Sequence, residues 1–213
     1  MKKTMPLTLI LAGMGIFLNS CSSTPQFLID SDLSNFDFKP GTWILEEGAI
    51  ARKGGGDIWT KEQYGNFILD LEFKVDKGTN SGVFIRTGNP KNCVQTGLEI
   101  QVYDSYGKEN PSKYDCGAVY DCLAPSKNPI KKAGEWNHLT ITAKDNIIQV
   151  AMNSEPIIDM DVNQWTEPNK NPDGKKNKFK NAIKDFPRVG YIGFQDHGKP
   201  VWYRNVTITP LGG

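Results

Sequence analysis

The sequence predicts an all-β protein in which two antiparallel sheets pack as a sandwich or jelly roll. Three observations carry this. Period-two alternation recurs along the chain, Gly, Pro, Asn and Asp turns separate the alternating runs, and helical periodicity is nearly absent. In "NFILDLEFKV" the side chains of Phe67, Leu69, Leu71, Phe73 and Val75 share one face, and those of Asp70, Glu72 and Lys74 share the other. In "GLEIQVYDS" Leu98, Ile100 and Val102 oppose Glu99, Gln101 and Tyr103. Further short strands are expected at "SGVFIRTG", "GAVYD", "WNHLTITAKD", "NIIQVAMN", "VGYIGFQ" and "VWYRNVTIT", with turns at "DKGTNSG", "TGNPKN" and "KDN". One segment, 162–188, departs from the pattern: it is polar, Lys-rich and broken by Pro168, Pro172 and Gly174. Phe179, Ile183 and Phe186 recur there at helical spacing, which predicts one short amphipathic helix near 175–185 packed on the sandwich. Lys175, Lys176, Lys178, Lys180 and Lys184 are expected on its solvated face.

The first 20 residues are expected to lie outside this fold. Lys2 and Lys3 precede an apolar run, Leu7 to Leu18, that is too short for a permanent membrane span. It ends in Leu18-Asn19-Ser20-Cys21, which resembles a bacterial lipoprotein signal: cleavage before Cys21 and lipidation of its thiol. Ser22 resembles the outer-membrane sorting pattern, so the expected location is the outer membrane, on its periplasmic or cell-surface side. Residues 21–26 then form a tether and 27–213 a single domain. Without Lys2 and Lys3, basic and acidic side chains all but cancel, which gives no electrostatic reason to expect nucleic acid. Cys116 and Cys122 bracket "GAVYD" and would stand roughly 20 Å apart on an extended strand, too far for a disulfide. Cys93 is left either to pair with one of them or to join them as free thiols.

Alternation places polar groups as well as apolar ones. With Leu98, Ile100 and Val102 in the core, Glu99, Gln101 and Tyr103 project from the opposite face, as do Asp70 and Glu72 from their strand, and Arg86 beside inward Val83 and Ile85. An ordinary wet sheet face would show the same pattern. The mix of Glu, Gln, Arg and glycine, in a chain with five tryptophans, favours a carbohydrate-sized groove instead. The chain has two histidines. His138, at a strand start, reads as a packed and satisfied side chain. His197, in "GFQDHGKP" between two strands, has an ordinary pKa near 6.5, an adjacent Asp196 to orient it, and Gly198 to turn the chain.

The blocks "NSGVFIR", "GLEIQVYD", "GAVYDCLAP", "GEWNHLTI" and "GYIGFQDHGKPVWYRNVTI", in this order, closely resemble the 3-keto-disaccharide hydrolase domain family over about residues 26–211. Asn153-Ser154 stands where that family commonly has Asn-Gly, and Phe194 where leucine is usual. The resemblance implies a concanavalin A-like jelly roll and an activity on 3-keto-glycosides. Such a substrate has an acidic C2 proton, α to the C3 ketone. Its removal, expulsion of the glycosidic oxygen from C1 and addition of water amount to hydrolysis without an oxocarbenium ion. That chemistry needs a base of near-neutral pKa, a cation or donor for the enolate oxygen, and a proton donor for the leaving group. His197 suits the base, Arg86 the enolate, and Glu99 or Glu72 the donor. A divalent metal held by His197 and Glu99 is the alternative source of positive charge. Gln101, Tyr103, Asp104, Tyr120, Gln195, Asp196 and Arg204, with Glu72, are the candidate contacts to an oligosaccharide or glycoside. A lectin-like module without catalysis is the competing expectation, since jelly rolls of this kind also serve as lectins.

Overall fold

A computed structural model describes residues 24–29 and 32–212. Cys21 and the expected signal lie outside them. In chain order the strands are β1 (Gln26–Phe27), β2 (Phe36–Asp37), β3 (Trp43–Glu46), β4 (Ala49–Arg52) and β5 (Ile58–Tyr64). There follow β6 (Phe67–Val75), β7 (Asn80–Thr87), β8 (Leu98–Tyr103), β9 (Trp136–Lys144) and β10 (Ile147–Met152). The last three are β11 (Glu155–Asp161), β12 (Gly190–Phe194) and β13 (Val201–Pro210). The larger sheet runs β11-β10-β9-β6-β13-β4-β3, with β1 added beside β13. The smaller sheet runs β2-β5-β12-β7-β8. All pairings are antiparallel, and the two inner faces close on one core, as a jelly-roll sandwich requires.

Alternation sets this geometry. On β6 the side chains of Phe67, Leu69, Leu71, Phe73 and Val75 are fully buried while the residues between them are half-exposed. On β8 the expected core residues are buried too, but so are Glu99 and Gln101, which face the other way. Two chain segments cover that outer face. Residues 116–121 lie along the free edge of β8: the Gly117 N–H donates to the Gln101 carbonyl (2.8 Å), Gln101 N–H to Ala118 (2.9 Å), and Tyr120 N–H to Glu99 (2.9 Å). They do not form the regular strand expected of "GAVYD". Gly117 (φ 82°) and Asp121 (φ 62°) break it, leaving Val119 in isolated bridges to Ile100 and Leu123.

The second cover is the Lys-rich strap, and here the structure corrects the expected helix. Residues 175–185 hold one 3₁₀ turn, Ile183–Asp185, ahead of Pro187. The single α-helical turn among the described residues is α1, Cys93–Thr96. Phe179, Ile183 and Phe186 are buried as the spacing implied, with the two Phe rings 5.7 Å apart. What defeats the helix is competition for its backbone groups. Asn177 Oδ1 accepts from the Phe179 N–H (3.0 Å), Asn169 and Phe179 bond through their backbones, and the Asn171 amide reaches the Asp121 carbonyl (3.0 Å). The cysteines Cys93, Cys116 and Cys122 are free. Burial pushes the Cys116 thiol up to about 12 and raises Cys122 further, so both are inert apolar packing. No helix among the described residues is long and apolar enough to cross a membrane.

Candidate active site

Register across the smaller sheet brings distant residues into rows. Glu99 pairs with Phe84, Phe84 with Gly193, and Gly193 with Trp59, so these four cross β8, β7, β12 and β5 in line. The next row holds Gln101 opposite Gly82, whose carbonyl accepts from the Gln195 N–H (2.9 Å). Two glycines make this face shallow. A Cβ on Gly193 would fall 2.4 Å from the Trp59 ring, and one on Gly82 would fall 2.5 Å from Glu99 Oε1. Trp59 and Glu99 therefore lie down over their neighbours' backbones, one on each side of buried Phe84.

Glu99 is 7% exposed. Burial raises its pKa to about 7, with nearby Asp57 adding to the shift and Lys178 and Gln195 opposing it. Lys178 reaches in from the strap: its Nζ is 3.8 Å from Glu99 Oε2 and 4.0 Å from the centre of the Tyr120 ring, which Tyr114 supports edge-on. With its amide nitrogen turned toward Glu99, Gln101 donates to the Ser81 carbonyl (3.0 Å) and to Glu99 Oε1 (3.3 Å). Gln195 Oε1 is buried with no partner among the described residues. Glu99, Gln101, Tyr120 and Gln195 are thus brought together.

His197 lies on the exposed rim, beside Asp57, which feels its charge. Asp196 is not its orienting partner. That carboxylate takes N–H donors from Arg52, Gly55, Gly56 and Gly198. Burial would raise its pKa, but these donors outweigh burial and hold it at about 2. Asp196 pins the loop that carries His197.

Other expected site residues belong elsewhere. Arg86 is 3% exposed, and its guanidinium donates to the carbonyls of Gly65 (2.8 Å) and Asp145 (2.7 Å) and to Asn66 Oδ1 (3.0 Å). These contacts tie together the β5–β6 and β9–β10 turns, away from Glu99, and burial brings its pKa down to about 10. A positive φ of 50° at Arg86, beside the register shift between β7 and β12, breaks the alternation that had placed it with Glu99. Glu72 and Arg204 sit on the larger sheet, paired with each other (2.9 Å) across the core from Glu99. Asp104 accepts from the Gly78 N–H (2.7 Å) and shapes the β6–β7 turn, and Tyr103 ends β8 half-buried. His138 is exposed rather than packed, with Nε2 2.8 Å from Asp70 on the larger sheet. Among the described residues no three His, Cys, Asp or Glu side chains converge as a metal site, so nothing completes a ligand set around His197 and Glu99.

Sequence reasoning missed Lys178, Asp57 and the purpose of Gly82. Lys178 is half-buried while the other four lysines of its run are exposed. No local signal marks it out, because its role depends on where the strap crosses β8.

This arrangement has counterparts. A model of the 3-keto-alpha-glucoside-1,2-lyase-like domain matches residues 25–209. The chain belongs to that family. A 3-keto-disaccharide hydrolase of Bacteroides thetaiotaomicron is 28% identical to this lyase-like domain over 211 residues, covering 82% of this chain and 72% of the relative. A Parabacteroides distasonis protein of known structure, provisionally named a glycosyl hydrolase, superposes with a TM-score of 0.84 at 35% identity. The match covers 89% of this lyase-like chain and all of that one. A carbohydrate-binding module of Bacillus subtilis shares the fold alone, with a TM-score of 0.51 at 14% identity over 82% of this chain and 95% of its own.

Proposed function

We propose that the protein cleaves 3-keto-glycosides on the outer face of its smaller sheet, with Glu99 as the group that takes the C2 proton. Family membership and the two closer relatives support a carbohydrate-active, glycoside-hydrolase-like enzyme. The single observation that carries the finer reading is Glu99 itself, a buried carboxyl whose pKa is brought to about 7 beside an ammonium group. A base tuned to working pH is what proton abstraction next to a ketone requires, whereas a lectin has no use for one.

The step balances as an elimination followed by hydration. The Glu99 carboxylate removes the proton from C2, and the C–H electron pair forms the C2–C3 double bond, placing negative charge on the C3 oxygen. The Lys178 ammonium, beside Glu99, stabilises that oxygen. Collapse of the enolate restores the ketone, forms the C1–C2 double bond and breaks the bond from C1 to the glycosidic oxygen. His197, on the rim, supplies the proton that the departing oxygen needs. Water then adds at C1 and a proton returns to C2, giving the free 3-keto sugar. Trp59, whose ring lies over Gly193, borders this site, and the buried Gln101 amide holds the Glu99 carboxyl in place. This assignment exchanges the roles expected from sequence, giving the base to Glu99 and the leaving-group proton to His197.

The test is turnover of a panel of 3-keto-disaccharides in D₂O, with and without a chelator. Label at C2 of product or recovered substrate is expected; cleavage without label at C2 would eliminate the enolate route. Binding without cleavage would favour the lectin reading. Lipid attachment at Cys21 and an outer-membrane location are proposed alongside, on the strength of the leader sequence. Cys21→Ala should release the protein from the membrane fraction, and unchanged fractionation would count against the anchor.

A further inference from the structure

We infer that Gly82 is a positioning residue for Glu99: the missing side chain on β7 is the space in which the Glu99 carboxyl lies. The inference rests on the reading of Glu99 as the proton acceptor, but its geometry stands apart from the substrate. A Cβ built at Gly82 would meet Glu99 Oε1 at 2.5 Å, Cγ at 2.7 Å and Cδ at 3.0 Å, so the whole outer half of the side chain rests on this one residue. Gly82 has no positive φ, and it sits in regular register with Gln101 between buried Ser81 and Val83. Its backbone would accept any L residue. Conformational freedom therefore does not explain the glycine, and the room it leaves does.

The consequence for Glu99 is directional. An outward-pointing Glu on an edge strand would normally extend into water. Here it bends across β7, which carries it under the covering segments and toward Gln101, Gln195 and Lys178. The charged and titratable groups facing it are Lys178 from the strap, Asp57 from the β4–β5 connection, Tyr120 from the segment along β8 and Cys93 of α1. A methyl group at position 82 would expel the carboxyl from this place, because the atoms it meets are the functional ones.

Gly82→Ala is the test, with three measurements on the intact protein. The crystal structure of the variant should show Glu99 in another rotamer. Turnover of a 3-keto-glycoside should fall at least ~100-fold, and the limb of the pH–rate profile that belongs to Glu99 should move to lower pH as the carboxyl gains water. In a Glu99→Ala background the same substitution should change the midpoint of thermal unfolding far less than in the wild type, since the clash is gone. Equal thermal penalties in both backgrounds would make Gly82 a packing residue and overturn the inference. So would an unmoved Glu99 carboxyl with an unchanged pH profile. The structure and the thermal cycle need no substrate, so they decide the case even if the activity proves to be a different one.

Discussion

Lys178 Nζ stands 3.8 Å from Glu99 Oε2, joining a half-buried strap residue to a buried sheet residue 79 positions away in sequence. The ammonium opposes the effect of burial without cancelling it, and the carboxyl is left near neutrality. A closer pair would lock Glu99 as a permanent anion with a low pKa, and no pair would leave it protonated through the working range. The spacing suits a group that must both take and return a proton.

Glu99→Gln should abolish the base while keeping the shape, lowering turnover of a 3-keto-glycoside at least ~100-fold. It should also change the response of stability to pH. Because the folded carboxyl titrates at about 7 against an ordinary 4.5, the unfolded chain releases this proton first as pH rises. Its contribution is most favourable below pH 4.5 and is lost up to about pH 7, by roughly 3 kcal/mol. The Gln variant should therefore gain on the wild type at pH 8 relative to pH 5. Denaturant melts at the two pH values check this, and parallel curves would refute it.

Lys178→Met should leave the fold intact and reduce turnover by about 10- to 100-fold, since one charged donor to the enolate is lost. Removing the ammonium should also move the Glu99 limb of the pH profile upward, because Lys178 is what opposes the effect of burial. Lys175→Met, on the same strap but exposed, should change neither quantity.

For His197→Ala the loss should depend on the leaving group. A 3-keto-glycoside with an alcohol leaving group should suffer ~100-fold, while one with an acidic phenol, which departs without help, should lose only a few-fold. Equal losses on both would remove His197 from the proton-transfer step.

Arg86→Met should cost stability rather than chemistry. It strips hydrogen bonds from two carbonyls and Asn66, and the penalty expected for such a buried network is about 3 kcal/mol. Turnover per folded molecule should stay within a few-fold of the wild type. A ~100-fold fall in turnover with unchanged thermal stability would restore Arg86 to the site.

Asp196→Ala should free the loop that carries His197. Four donors converge on this carboxylate, so a loss of about 2–3 kcal/mol is expected. The folded carboxyl titrates at about 2 against an ordinary 3.8, so its contribution is present above pH 3.8 and lost as pH falls toward 2. The variant should accordingly lack the part of the acid unfolding transition that falls in this window.

The sequence alone determined the sandwich, because a strand repeats every two residues and that period can be read one strand at a time. Phe67 to Val75 on β6 and Leu98 to Val102 on β8 announce which face is buried without knowledge of any partner. The same parity pointed Glu99 and Gln101 to one face together, and the turn around His197 was legible from Gly198. Tertiary structure decided the rest. Parity says which side of its own sheet a residue faces but not which sheet it joins, so Glu72 and Arg204 went to one outer face and Glu99 to the other. A single bulge was enough to send Arg86 out of the expected group. The covering segments, which bury Glu99 and deliver Lys178, are held by side-chain amides and irregular backbone with no period to read. Burial and charge proximity are sums over neighbours from the whole chain, and these created the near-neutral carboxyl.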